Sequence, residues 1–249
     1  MSGHSKWSKI KRDKETKDKQ KGNIFSKLSR LITLAVIEGG GITDRESNVK
    51  LRLAIEKAKT FNLPKENIER AIEKGIGPDK HKLKEVVYEA FGPAGISLII
   101  LATSDNLNRT LSEVRNVVES HAGKLGDQGS VMHLFRKCGL ATFKLGEARY
   151  SPVPGEATEE SVFSFADKVK AFDIDKDEEF YSVYFPYEFL GKVKENLAGL
   201  RPVSVEVDFL AQTLVEVYDK DARKKIPVLI EALENLDDVH KVFANYILK

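Results

Sequence analysis

The 249 residues are 41% hydrophobic and 31% charged, an ordinary globular balance that excludes disorder throughout. No apolar run approaches the ~18–20 residues that span a bilayer, and a lone cysteine, Cys138, excludes an internal disulfide and a zinc–thiolate framework. The net charge of +2 conceals a segregation. Residues 1–30 hold ten Lys and Arg against three Asp and Glu, a surplus of +7, so the rest of the chain carries −5. Clustered cations displace counterions from phosphates without reading sequence, which points to a polyanion partner. A solvated, lysine-rich helix face is the competing account.

The chain opens MSGHSKWSKIKRDKETKDKQKG, with Lys6, Trp7, Lys9, Lys11, Arg12, Lys14, Lys17 and Lys21, and the basic run continues to Lys27 and Arg30. These are the candidate nucleic-acid contacts. Trp7 either stacks on an exposed base or anchors the segment to the helices behind it. A secretory signal is excluded because the first apolar run waits until Ile24. A mitochondrial transit peptide is excluded because lysine outnumbers arginine and Asp13, Glu15 and Asp18 interrupt the run.

Apolar residues at Ile24, Phe25, Leu28, Leu31, Ile32, Ala35 and Val36 predict a helix that stops at Gly39–Gly41. A second helix is predicted over 47–60, with Val49, Leu53, Ala54 and Ala58 inward and Leu51 and Ile55 flanking. A third begins at Pro64 and ends at Gly75–Pro78. This pair could be a DNA-reading helix–turn–helix. The second of its helices balances Lys65, Arg70 and Lys74 against Glu66, Glu69 and Glu73, however, and so attracts a duplex weakly.

After Pro78 the period changes. EVVYEAFG and ISLIILATS read as strands, and NRTLSEVRNVVESHAG as a helix. SVMHLFRKCG and LATFKL read as two further strands, SPVPGEATEE as a loop and EESVFSFADKVKA as a helix. EFYSVYFP is a strand, YEFLGKVKENLAG a helix, VSVEVDF and QTLVEVY strands, ARKKIPVLIEALENL a helix, and VHKVFANYIL a final strand. The expected class is α+β: a three-helix bundle over 1–80, then two ferredoxin-like split βαβ domains. The first covers 81–138 plus 211–249 and the second, 139–210, is inserted in it.

Catalytic constellations are lacking. His4, His81, His121, His133 and His240 show no HExxH or HxxxH spacing, so no metal and no cofactor are expected. Cys138, beside Arg136 and Lys137, reads as a buried strand cysteine. Asp173, Asp175 and Asp177 mimic a calcium loop, but Glu178 replaces its glycine and Tyr184 its bidentate acid, so the stretch reads as an acidic loop. GKLGDQGS supplies a candidate phosphate loop at Gly123, Lys124 and Gly126. A helix cap followed by a turn explains the same glycines.

Several blocks in order, GHSKW at Gly3–Trp7, KGNIFSKL, LRLAIEKAK, NLPKENIERAIEKGIG, EAFGPAG, DNLNRT, GKLGDQGSV and LENLDDVHKVFANY, resemble the YebC family. That family is described as bacterial transcriptional regulators and includes the mitochondrial translational activator of cytochrome c oxidase. The resemblance covers nearly the whole chain. It implies three domains, nucleic-acid binding and no enzymatic activity. The expected partner is DNA, or ribosomal RNA if the protein acts on the ribosome. No membrane partner is expected, the oligomeric state is open with a monomer favoured, and the setting is cytoplasmic. Lys50 stands where the family has arginine, and His121–Ala122 precede Gly123 where it has a glycine pair.

Overall fold

The computed structural model describes residues 18–78, 83–145 and 157–249. The chain is α+β. It divides into two compact units, one that ends at Arg136 and resumes over Ala211–Lys249, and one formed by Lys137–Leu210.

The first unit begins with three helices, α1 (Asp18–Glu38), α2 (Val49–Thr60) and α3 (Lys65–Ile76). Their shared core holds Leu28, Ile32, Ala35, Val36, Leu51, Ile55, Ala58, Ile68 and Ala71. Leu51 and Ile55 are therefore central rather than flanking, and Val49 and Leu53 are half-buried. The reason lies at Asn48. Its Oδ1 caps α2 by accepting from Leu51 N at 3.0 Å, while its Nδ2 donates to Ala35 O, a carbonyl in the last turn of α1, at 2.9 Å. One side chain thus ties the last turn of α1 to the start of α2 and sets the rotation of α2. Gly75 lets α3 approach α1 closely: a Cβ there would lie 2.6 Å from Val36 Cβ.

The bundle is followed by a four-stranded antiparallel sheet. Its strands are β1 (Lys84–Phe91), β2 (Ser97–Ser104), β3 (Lys124–Leu125) and β9 (Val239–Ala244), in the order β3-β1-β2-β9. Helix α4 (Leu107–Ser120) joins β2 to β3 across β1, a split βαβ. With α7 (Lys220–Glu234) it buries Leu98, Ile100 and Ala102 against Val114, Val118, Ile226, Leu229 and Leu233. Strand β2 is buried along its whole length, and α1 packs against it as well. This is why its sequence is a continuous apolar run rather than an alternation.

The second unit is a ferredoxin-like βαββαβ. Its elements are β4 (Phe135–Lys144), α5 (Glu159–Lys168), β5 (Asp173–Lys176), β6 (Phe180–Pro186), the short α6 (Val193–Asn196) and β7 (Ser204–Ala211), with sheet order β5-β6-β4-β7. Phe165 packs edge-on against Phe143 at 5.1 Å and Phe185 at 6.2 Å between centroids.

Four expected elements differ. The two strands expected across 130–145 are one, because Val131 and Met132 give their N–H groups to the Glu89 carboxylate and form a 3₁₀ turn before β4. The acidic loop is instead the edge strand β5, which needs only one laddered side; Asp177 then caps the turn, accepting from Glu179 N and Phe180 N. The helix expected over 187–199 is mostly a 3₁₀ segment, Tyr187–Lys192, with one α turn after it. The final strand breaks at Asn245, whose Oδ1 accepts from Ser97 N at 2.6 Å. Beyond it β10 (Tyr246–Leu248) leaves the main sheet and pairs in parallel with β8 (Val215–Val217).

Candidate nucleic-acid interface

Lys6, Trp7, Lys9, Lys11, Arg12, Lys14 and Lys17, like His4 and His81, lie outside the described residues. The backbone of Lys21 belongs to α1. Lys27 and Arg30 are fully described, and both reach internal acceptors.

Asn23, Lys27 and Arg30 are spaced four and three apart, so they form one stripe of α1. That stripe lies along the turn after α7. Asn23 Nδ2 donates to Asn235 O at 3.1 Å, Lys27 Nζ to Glu234 O, and Arg30 Nη1 to Asp237 O at 3.3 Å and to the Asp238 carboxylate. The last carbonyls of α7 lack helical partners and carry the negative end of its dipole, so cations are favoured there. The other side of Asp238 is held by α4: Arg109 Nη2 donates at 2.7 Å and the Thr110 hydroxyl at 2.5 Å. Asn106 caps α4, and Ser104 Oγ sits 2.6 Å from the Thr110 hydroxyl. Burial would raise the Asp238 pKa, but the Thr110 and Arg109 hydrogen bonds and the Arg30 and Arg109 charges outweigh it and hold the carboxyl below its ordinary range. This clasp joins the helical bundle to the sheet.

Next to it stands His240, its Nδ1 3.4 Å from the Thr103 hydroxyl. The residue is half-buried. Burial, then Lys57, Lys241 and Lys27, push its pKa down to about 3, so the imidazole is neutral at physiological pH among three cations. Lys241 also lies 4.5 Å over the Phe243 ring.

The 123–129 loop is built around a carboxylate of its own chain. Glu89, 4% exposed, accepts from Gly129 N at 2.6 Å and from Val131 N and Met132 N at 2.7 Å, and its backbone oxygen accepts from Gly126 N at 2.8 Å. Those hydrogen bonds more than offset the burial that would otherwise raise its pKa, and hold it low. Gly123 follows the left-handed Ala122 at the end of α4; a Cβ there would meet Phe91 O at 2.7 Å. The geometry is that of a helix cap and a turn, with Lys124 exposed on β3. An external phosphate would have to displace Glu89 from these N–H groups.

The pair α2–α3 turns tightly at Asn62, whose φ is 58°. On α3, Lys65 pairs with Glu69 at 3.4 Å and Arg70 donates to Asn67 at 2.6 Å. Arg52 is buried in α2, 3.8 Å from Glu46. Among the described residues no three His, Cys, Asp or Glu converge as metal ligands, and no helix is long and apolar enough to cross a membrane. Cys138 is buried in β4, its thiol 3.6 Å from Asp208 O. The sequence reading did not single out Glu89, Asn48, Asn245 or Asp238 as organising residues. The only signal for Asp238 was its place in the LENLDDVH block, which meets the DNLNRT block at the clasp.

The molecule is thus an α+β chain of a helical bundle, a split βαβ sheet and a ferredoxin-like unit, its visible polar machinery devoted to joining elements. Models of the TACO1/YebC protein N-terminal domain and of the TACO1/YebC second and third domain match residues 5–78 and 83–246. A curated relative from Aquifex aeolicus, named "Probable transcriptional regulatory protein", is 42% identical over 99% of this chain and 96% of its own. One of the same name from Roseiflexus castenholzii is 40% identical over 98% and 94%. The crystal structure of a conserved hypothetical protein from Aquifex aeolicus superposes with a TM-score of 0.80 at 39% identity, over 93% of this chain and 92% of that one. The chain belongs to the TACO1/YebC family.

Proposed function

We propose that this protein is a non-enzymatic regulator of gene expression that binds nucleic acid through its basic front, in the cytoplasm and as a monomer. The observation that carries this reading is the charge segregation: +7 on the first thirty residues, −5 on the rest. The relatives are named probable transcriptional regulatory proteins, which supports a role in transcription, and duplex DNA is the target proposed for it. A second reading, a translation factor acting through ribosomal RNA, is favoured by α3, whose cations are matched by acids and in part paired with them. The clasp supports either target, because it would hold the front on the body rather than leave it on a free helix. We also propose 1–80, 81–138 with 211–249, and 139–210 as the domains.

The test is titration of the full chain with a DNA duplex and a ribosomal RNA fragment across a salt series. Binding should weaken with a log–log slope of about −0.9 per duplex phosphate contacted, or about −0.7 on single strands. Reversal of Lys9, Lys11, Arg12 and Lys14 to Glu should abolish binding to both. Trp7→Ala should cost about 1–3 kcal/mol on RNA and little on duplex DNA if Trp7 stacks on unpaired bases. Unchanged binding by the folded quadruple variant would remove the basic front as the site.

A further inference from the structure

A second concentration of positive charge lies on the first unit, at the end of α7 remote from the clasp. Four of the first six residues of α7 are cations: Lys220, Arg223, Lys224 and Lys225. All four are exposed, and none makes a side-chain hydrogen bond or ion pair among the described residues. The nearby acids are engaged or outnumbered. Asp219 caps the helix by accepting from Ala222 N at 2.7 Å, and Asp221 is the one acid within the first turn.

This placement costs the fold stability. The start of a helix is the positive end of its dipole, and cations there are unfavourable. No partner among the described residues offsets that cost. The residue before the cap is Tyr218, 67% exposed and the most exposed large hydrophobic side chain among the described residues. Its hydroxyl donates to Glu216, which pairs in turn with Lys249 at 3.6 Å, and its ring stands in solvent.

We propose that Tyr218, Lys220, Arg223 and Lys224 form a second nucleic-acid contact that takes an unpaired segment: the cations hold consecutive phosphates and the tyrosine ring stacks on one base. This rests on the nucleic-acid-binding reading above and extends it to a surface on a different element. An unpaired segment fits better than a duplex, because duplex bases are already stacked and leave the ring nothing to receive. The stacking partner can come from RNA or from locally melted DNA.

The experiment uses the full chain, a labelled mixed-sequence RNA oligonucleotide, single-stranded DNA of the same sequence, and the matching duplex, each titrated across a salt series with melting curves in parallel. Arg223→Ala with Lys224→Ala should flatten the single-strand salt slope by about 1.4, two contacts at about 0.7 each. Tyr218→Ala should weaken single-strand binding about tenfold and duplex binding little, while Tyr218→Phe keeps the ring and should bind as wild type does. Equal losses on RNA and single-stranded DNA mean that ring and phosphates suffice; losses on RNA alone assign the patch to RNA. Unchanged slope and affinity in both variants, with binding still abolished by reversal of the basic front, would overturn this contact and leave the wider reading intact. Equal losses for Tyr218→Ala and Tyr218→Phe would overturn the stacking role. A wild-type chain that binds none of the three probes would remove both.

Discussion

The two ends of α7 carry cations of the same kind in opposite circumstances. At its C-terminal end, Lys27, Arg30 and Arg109 reach carbonyls and the buried Asp238 carboxylate. At its N-terminal end, Lys220, Arg223, Lys224 and Lys225 face solvent without a partner among the described residues. The first group complements the helix dipole and joins two layers of the fold; the second opposes the dipole and joins nothing among the described residues. A count of lysines and arginines treats the groups alike. Their neighbours separate a structural cation from one available to a ligand.

The comparison breaks most readily at Asp238. Asp238→Ala removes the buried acceptor shared by Arg30, Arg109 and Thr110, leaving, among the described residues, Arg109 only Asp105, Arg30 only Asp237 O and the Thr110 hydroxyl only Ser104 and Asn106 O. It should lower unfolding free energy by about 3 kcal/mol, read by urea denaturation. Asp238→Asn keeps part of the hydrogen bonding and should lose less. A change within about 0.5 kcal/mol for the alanine variant would mean that the clasp does not hold the bundle to the sheet.

Glu89 offers a smaller break in the other buried carboxylate. Glu89→Gln substitutes an amide that directs N–H groups at the loop's own donors, and should cost about 2 kcal/mol by strand-to-loop unpairing at 126–132. Faster amide hydrogen exchange confined to that loop is the local signature. Loss of protection across the bundle instead would place the role of Glu89 elsewhere.

Acid sharpens the picture because the groups titrate in different windows. His240 has a folded pKa near 3 against an ordinary 6.5, so the unfolded chain binds the extra proton between those values. Stability should therefore fall as pH drops below 6.5, by up to about 1.4 kcal/mol per pH unit. Asp238 and Glu89 are shifted below 3.8 and 4.5, so their contribution is present above those values and is lost as pH falls through the folded pKa. The unfolding curve should decline in two stages, and His240→Gln should erase the first. A single transition unaffected by that substitution would mean that the imidazole is not held neutral among the lysines.

Much of the fold is legible in the chain. The stripe from Ile24 to Val36 builds α1, the glycines end it, and the unbroken apolar run of β2 announces a strand covered on both faces. Features set by a single polar side chain reaching across the fold are not legible. Asn48 rotates α2, Asn245 divides the last strand, and Glu89 turns two residues out of a ladder. Each partner lies far away in sequence or requires a backbone N–H that periodicity does not display. The same holds for the candidate interface: spacing placed Lys27 and Arg30 on a helix, but only the turn at 234–238 reveals what they touch.

The smallest expected effect tests the comparison most directly, because it makes one substitution near each end of one helix. Lys220 is the first residue of α7, where the exposed N–H groups already carry positive charge. Lys220→Glu replaces repulsion by attraction and should stabilise the protein by about 0.5 kcal/mol, an effect that shrinks with added salt. Lys27 sits at the opposite end, its ammonium on Glu234 O. Lys27→Glu sets an acid against the negative end of the same dipole and discards a hydrogen bond, so it should destabilise by about 1 kcal/mol. The two variants carry the same change of net charge, so any global charge effect moves them together. Opposite signs in paired urea titrations can arise only from local surroundings. If both moved the same way, the dipole and its neighbours would not distinguish the two groups of cations.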